Sequence, residues 1–281
     1  MGVSILKSSV KTEKFSLKKL VGSLMRSGAP RDIAYDIARQ VRKQVKPLTP
    51  SKDIYRMARK LLRKYNRSSG MKYSLKKALF SLGPSGYPFE RYFARILSNY
   101  GYSVQVGRTI DGYCVQHEVD VIAQNDDEHI FVECKYHSKS GTATDVKTAL
   151  YIHARFLDIK KAYEKIINNR NVAIKCWLAT NTRCTYDATE YAECTGLGIV
   201  SWRYPEESSL EKLIEDKKLY PVTILPAARK GPLEILMKKD FVLAQDIADV
   251  DEQSFLRNSG LDYRIARQLK KQADELCPCI R

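Results

Sequence analysis

Residues 117–136, HEVDVIAQNDDEHIFVECKY, restrict the fold more than any other stretch of this chain. Val119, Val121 and Ala123 alternate with Asp120 and Ile122, and Ile130, Phe131 and Val132 lead into Glu133, Cys134 and Lys135. Two β-branched and aromatic runs around the turn-forming Asn125, Asp126 and Asp127 predict a strand hairpin. Side chains two apart on a strand share a face, so Glu133 and Lys135 point one way and Cys134 the other, while the neighbouring strand can bring Asp120 beside them. Charges taken out of water are costly unless they are paired or bind a metal. Two readings fit the pattern: a buried ion pair between Lys135 and one acid, or two carboxylates that hold a divalent cation with an ammonium beside a reacting water.

The rest of the composition bounds what surrounds this hairpin. A chain of 281 residues can bury a substantial core and divide into two or three domains. No apolar run approaches the ~20 residues of a membrane span, and the opening MGVSILKSS has too short an apolar stretch for a signal peptide. Leu6 breaks the myristoylation pattern that Gly2 begins, so a cytoplasmic protein without a membrane partner is expected. Seven cysteines, at 114, 134, 176, 184, 194, 277 and 279, form no CxxC pair and read as buried thiols. None of the four histidines lies near the Cys277/Cys279 tail in sequence.

The net charge of +16 is concentrated at one end. Residues 1–82 hold 21 Lys and Arg against 4 Asp and Glu, whereas residues 83–281 hold 27 and 28. A basic module of this kind attracts a polyanion, either a nucleic acid or a nucleotide polyphosphate.

Periodicity then places the elements. Leu17, Leu20, Val21 and Leu24 predict a helix stopped by Gly28; Ile33, Ile37, Val41 and Val45 predict a second between Pro30 and Pro47; Ile54, Met57, Leu61 and Leu62 mark a third after Thr49-Pro50. A short hairpin at 3–15 precedes them, and a basic link and helix at 66–82 follow. Beyond Gly83 comes a helix with Phe89, Phe93, Ile96 and Leu97 as its apolar stripe, then strands near 102–107, 114–123 and 129–136. A helix near 145–168, a strand near 172–179, a helix near 186–195 and a strand near 198–203 complete an αβββαβαβ order, a mixed sheet with helices on its faces. On the helix after the hairpin, Tyr151, Ala154 and Leu157 read as a core stripe and Arg155 as a group able to reach a phosphate. Residues 206–281 are mostly helical and carry no repeat. Within them Asn258-Ser259-Gly260 offers a turn that could grip a DNA backbone.

Residues 83–203 resemble the Mrr-like restriction endonuclease branch of the PD-(D/E)xK nuclease superfamily. The matching positions are Glu90 in YPFERYFARIL, Asp120 in HEVDVIA, and Glu133 and Lys135 in IFVECKY, with TNTR at 180–183 and the helix YDATEYAECTG following. The resemblance implies phosphodiester hydrolysis with Mg²⁺ held by Asp120, Glu133 and the carbonyl of Cys134. Lys135 would orient the water and stabilise charge on the phosphorane-like transition state, and Glu90 would hold a water or a second metal. His117 is expected no closer than one layer behind these groups.

The N-terminus resembles an ATP-cone, the nucleotide-binding regulatory domain of ribonucleotide reductases and their repressors. The match runs through Ile5-Leu6-Lys7, Glu13, Phe15, Lys19-Leu20, Ser23, Gly28 and the TPSKDIYRMARKLL helix. It implies ATP or dATP as a regulatory ligand, with Lys7 and Lys19 at the phosphates and Glu13 and Ser16 near the base and ribose. Ser8 stands where the family places an arginine. The chain has no GxxxxGK[ST] sequence, so sensing without hydrolysis is expected.

The expected architecture is α/β: an ATP-cone-like domain with its basic link at 1–82, a nuclease domain at 83–205 and a helical region at 206–281. The expected activity is a Mg²⁺-dependent DNA endonuclease of restriction or defence type, regulated by an adenine nucleotide. Its competitors are a non-catalytic, nucleotide-responsive DNA-binding regulator and a nuclease acting on RNA or junctions. Homo-oligomerisation is left open by the sequence.

Overall fold

The computed structural model describes residues 3–6, 12–167, 172–228 and 231–278. Two compact units are distinguished: Met1–Ala78 with Val222–Lys239 and Ala244–Arg281, and Leu79–Pro221 with Asp240–Leu243.

The first unit opens with strands β1 (Ser4–Leu6) and β2 (Thr12–Lys14), an antiparallel pair. Helix α1 (Leu17–Arg26) begins where Ser16 Oγ accepts a hydrogen bond from the Lys19 amide at 3.2 Å. It ends before Gly28, whose φ of 87° is a left-handed conformation that glycine adopts without a Cβ clash. Helices α2 (Arg31–Gln44) and α3 (Ser51–Tyr65) follow. Between them the two-residue strand β3 (Thr49–Pro50) pairs with β1 in parallel. The sequence gives no sign of β3, because two residues are too few to show a period. Leu24, Ala34, Ala38, Val41, Ala58 and Leu62 are fully buried between these helices. Short helices α4 (Arg67–Lys72) and α5 (Leu75–Leu79) follow, the first capped by Asn66, whose Oδ1 accepts from the Ser69 amide at 2.8 Å.

The second unit holds a five-stranded sheet with the expected αβββαβαβ order. Its elements are α6 (Tyr87–Asn99), β4 (Ser103–Asp111), β5 (Gln116–Gln124), β6 (Glu128–Lys135), β7 (Ala143–Thr144), α7 (Val146–Ile167), β8 (Ala173–Thr180), β9 (Arg183–Cys184), α8 (Tyr186–Thr195), β10 (Gly198–Val200) and α9 (Leu210–Lys217). The sheet order is β10-β8-β6-β5-β4, with β4, β5 and β6 antiparallel and β6, β8 and β10 parallel. β7 and β9, absent from the sequence reading, form a separate two-stranded parallel pair among the described residues.

Strand β6 lies at the centre of this sheet, which explains its unbroken apolar run of Ile130, Phe131 and Val132, all buried. On one face Phe131 and Ile122 pack against Ile159 of α7. On the other Tyr136, just past β6, meets the ring of Phe89 from α6 at 5.9 Å. Strand alternation thereby directs Glu133 to the side of α7 and Cys134 to the opposite side. The stripe assigned on α7 needs correction: Tyr151, Ala154 and Leu157 are exposed, and Ile152, Phe156 and Ile159 face the sheet instead. Both triplets are apolar at helical spacing, and only the sheet's position chooses between them.

Returning to the first unit, the chain adds α10 (Pro232–Lys238), α11 (Ala244–Ala248), α12 (Glu252–Asn258) and α13 (Tyr263–Leu276). Ala266, Leu269, Ala273 and Leu276 form the buried face of α13, and Arg264, Arg267 and Lys271 lie on its exposed side. The cysteine reading holds in part. Cys134 and Cys176 are buried, Cys184 and Cys277 are half-buried, and Cys114 and Cys194 are exposed. Cys279 lies outside the described residues.

Candidate active site

The register of β5 against β6 runs from Gln124↔His129 to Val121↔Val132. Asp120 lies just beyond the end of that register. Asp120 Oδ2 accepts the Cys134 amide hydrogen at 2.6 Å, which ties the two strands at the site. Glu133 is held from two sides: Lys135 Nζ donates to its Oε1 at 2.5 Å, and Arg155 Nη1 on α7 donates to its Oε2 at 2.7 Å. Arg155 also donates to the main-chain oxygen of Glu118. The hairpin thus brings Asp120, Glu133 and Lys135 together as the sequence predicts. Arg155 is held by Glu133.

Glu90, in the first turn of α6, belongs to the same electrostatic cluster. Its carboxyl is pushed up to about 7, first by burial and then by repulsion from Asp120, Glu118 and Glu133, with Lys135 opposing. Asp120 is pushed up to about 6 by burial and then by Glu133, with the Cys134 amide, Lys135 and Arg155 acting the other way. Four carboxylates and two cations therefore share one locality. Perturbed carboxyls gathered in this way are a mark of functional sites. Glu118 is the member that sequence reasoning passed over. The signal was available, since Glu118 stands two residues before Asp120 on β5, as Glu133 stands two before Lys135 on β6.

The end of β6 is clamped from β8. Thr180 Oγ1 donates to the Lys135 carbonyl at 2.7 Å. The fully buried Asn181 accepts from the His137 amide through Oδ1 at 2.9 Å and donates to the His137 carbonyl through Nδ2 at 2.8 Å. This gives the TNTR segment a physical role, fixing the main chain that carries Lys135. His117 stands apart, with Nε2 2.8 Å from Asp158 Oδ2 on α7. That contact is the leading cause holding the Asp158 carboxyl down at about 2.

For a divalent cation the donor chemistry is suitable, being carboxylate and carbonyl oxygen. Among the described residues, however, no three His, Cys, Asp or Glu side chains are arranged to hold a metal ion. Glu133 spends both oxygens on Lys135 and Arg155, so a cation at this site would have to share or displace those partners.

The raised carboxyls also set a pH dependence. Asp120 and Glu90 bind their protons more tightly in the folded chain than in the unfolded one, where carboxyls titrate near ~4. Their contribution to stability is therefore present at low pH and is lost as pH rises through about 6 and about 7. In urea titrations with chelator, Asp120→Asn should gain stability over the wild type near neutral pH, with the difference vanishing at roughly pH 4. A gap that widens towards acid pH would contradict the assignment.

In the N-terminal unit, Lys19 Nζ donates to Glu13 Oε1 at 2.5 Å and Ser16 caps the helix that carries Lys19. Glu13, Ser16 and Lys19 are thus neighbours, while Lys7 lies outside the described residues.

Comparison with known proteins bears on both units. The restriction endonuclease family matches residues 83–204, the span that holds every member of the carboxylate cluster. The AF1548-like C-terminal family matches residues 220–277. An uncharacterized protein of Archaeoglobus fulgidus is 34% identical over 183 residues, covering 65% of this chain and 98% of its own length. This chain belongs to the AF1548-like family. A solved structure, described as the crystal structure of the protein of unknown function AF1548, shares 33% identity with this AF1548-like chain at a TM-score of 0.59. It covers 68% of this chain and 98% of its own. This AF1548-like protein therefore carries a restriction-endonuclease-type nuclease domain, whose class points to DNA as substrate. No helix among the described residues is long and apolar enough to cross a membrane.

Proposed function

We propose that this AF1548-like protein is a Mg²⁺-dependent endodeoxyribonuclease of restriction or defence type, regulated by ATP or dATP at an ATP-cone-like N-terminal module. The observation that carries the reading is the convergence of Asp120, Glu133 and Lys135, with Glu90, inside the span matched by the restriction endonuclease family. Asp120 and Glu133, with the carbonyl of Cys134, would hold Mg²⁺, which supplies Lewis-acid polarisation of the phosphate and a water of lowered pKa. Lys135 stabilises the negative charge that develops on the phosphorane-like transition state. Arg155 fixes the carboxylate of Glu133, and Thr180 and Asn181 fix the strand end that presents Lys135. Glu90, with its raised pKa, positions a water by hydrogen bonding or accepts its proton.

Support for the cone comes from the order hairpin, helix, helix, strand, helix in residues 4–65 and from the proximity of Glu13, Ser16 and Lys19. Lysines meet phosphates as point charges, which suits Lys19 and Lys7. Ser8, in place of an arginine, implies weaker binding than in the reductases.

A second reading, a non-catalytic DNA-binding regulator, has one observation in its favour: both oxygens of Glu133 are engaged by cations of the chain itself. The two readings separate when full-length protein is incubated with methylated and unmethylated plasmid, with and without Mg²⁺ and ATP. The nuclease reading expects scission that requires Mg²⁺ and responds to ATP; absence of scission with every divalent cation favours the regulator. Calorimetry with ATP and dATP, on the wild type and on a Lys7→Ala, Lys19→Ala double variant, tests the sensor. No heat of binding at millimolar nucleotide removes it.

A further inference from the structure

A cavity of the first unit, about 1030 Å³, is a basic groove built from segments far apart in the chain. Arg63 and Lys64 at the end of α3 and Arg67 at the start of α4 form one wall, and Arg264, Arg267 and Lys271 of α13 form the other. Six cations are opposed by one acid within the lining, Glu275, which pairs with Arg67 at 3.5 Å. Arg267 makes a second, exposed contact with Glu252 at 3.8 Å. Among the described residues, Arg63, Lys64, Arg264 and Lys271 have no acidic partner within 4.0 Å. Like charges brought to one groove repel, so such an arrangement is stabilised when a polyanion occupies it.

We propose that this groove binds the phosphodiester backbone of a nucleic acid, a proposal that rests on the nuclease reading of the other unit for its choice of polyanion. The dimensions favour a polymer over a free nucleotide. Arg264 and Lys271 are seven residues apart on one helix, roughly 10 Å at 1.5 Å per residue. Successive phosphates of one strand advance by about 3.4 Å along a duplex, so this row matches three or four of them. Four of the six cations are arginines, whose planar guanidinium groups meet phosphate oxygens in pairs. Tyr263, exposed at the edge of the same groove, offers a ring on which an unpaired base can stack. The groove also relocates the contact expected at Asn258-Ser259-Gly260. There the first amides of α13 are already taken by Asp262, whose Oδ1 accepts from Arg264 N at 2.9 Å and Ile265 N at 3.4 Å, and Ser259 is fully buried. The amides of Ser259, Leu261, Arg264 and Ile265 are thus engaged within the chain, and the side-chain face of α13 offers the cations instead.

The test is fluorescence anisotropy with a labelled duplex and a labelled single strand, in chelator so that no cleavage occurs, using full-length protein. In an Arg264→Gln, Arg267→Gln, Lys271→Gln variant, affinity at low salt should fall at least about tenfold. The slope of log K against log salt should become shallower by about 2.7 for the duplex, three contacts at ~0.9 each. Glutamine keeps helix propensity, and the exposed positions leave the core untouched. Glu275→Gln removes the opposing charge and should tighten binding, a gain that misfolding cannot produce. Loss on the duplex, the single strand or both supports the groove, and a larger loss on the single strand with Tyr263→Ala assigns the ring as a stacking platform. Wild-type affinity and slope in the triple variant would overturn the proposal, as would equal competition by polyglutamate at matched charge, which would make the partner an acidic protein. Binding that depends on the groove without any Mg²⁺-dependent cleavage leaves the groove standing and removes the nuclease reading; cleavage with unaltered binding in the variant does the reverse.

Discussion

Lys135→Ala should lower kcat for DNA cleavage by about 10²–10³-fold, the usual loss when one group that stabilises transition-state charge is removed. Asp120→Ala should reduce it at least as far, since it takes away an anchoring carboxylate as well as the strand tie to the Cys134 amide. Neither change should unfold the chain. Lys135→Ala leaves Glu133 paired with Arg155, and Asp120→Ala exchanges a lost hydrogen bond, about 1–3 kcal/mol, for relief of the repulsion from Glu133. Single-turnover rates measured beside thermal melts check both statements. A variant that melts like the wild type and cuts at the wild-type rate would remove its residue from the hydrolytic centre.

Asn181→Ala is expected to damage stability and cleavage together. The side chain is fully buried and satisfies both main-chain groups of His137, two residues beyond Lys135. Truncation leaves an amide and a carbonyl of a half-buried residue without partners, at a cost of about 2–4 kcal/mol. It also releases the strand end that presents the ammonium. Urea unfolding should show that loss, and kcat should fall while substrate affinity changes little. An Asn181→Ala variant of unaltered midpoint and rate would mean that Thr180, through its bond to the Lys135 carbonyl, fixes the strand end by itself.

Much of the site was legible because its residues violate the pattern around them. Asp120, Glu133 and Lys135 interrupt apolar strands, so local alternation located these three, whereas Glu90, one polar residue on an amphipathic helix, was picked out only by the resemblance to the nuclease family. Glu118 obeyed the same rule and was overlooked because the apolar run begins only at Val119. Arg155 illustrates what local pattern cannot reach. Its partner lies 22 residues away, and only the packing of α7 on the sheet brings them together. The exposed stripe of Tyr151, Ala154 and Leu157 was misassigned for the same reason. Long-range assembly was hidden altogether: nothing in residues 63–67 announces that α13, some two hundred residues later, closes a groove against them. Such contacts depend on tertiary packing, which neither periodicity nor turn chemistry encodes.

The most direct test of the hydrolytic centre is single-turnover cleavage of an end-labelled duplex by the full-length protein, with Mg²⁺ added after protein and DNA are mixed. Beside the wild type stand Asp120→Ala and a chelator control. The account predicts internal scission by the wild type only after Mg²⁺ is added, and none above background from Asp120→Ala at equal DNA occupancy. Scission that persists in Asp120→Ala, or a wild type that binds the duplex and leaves it intact with every divalent cation, would contradict it.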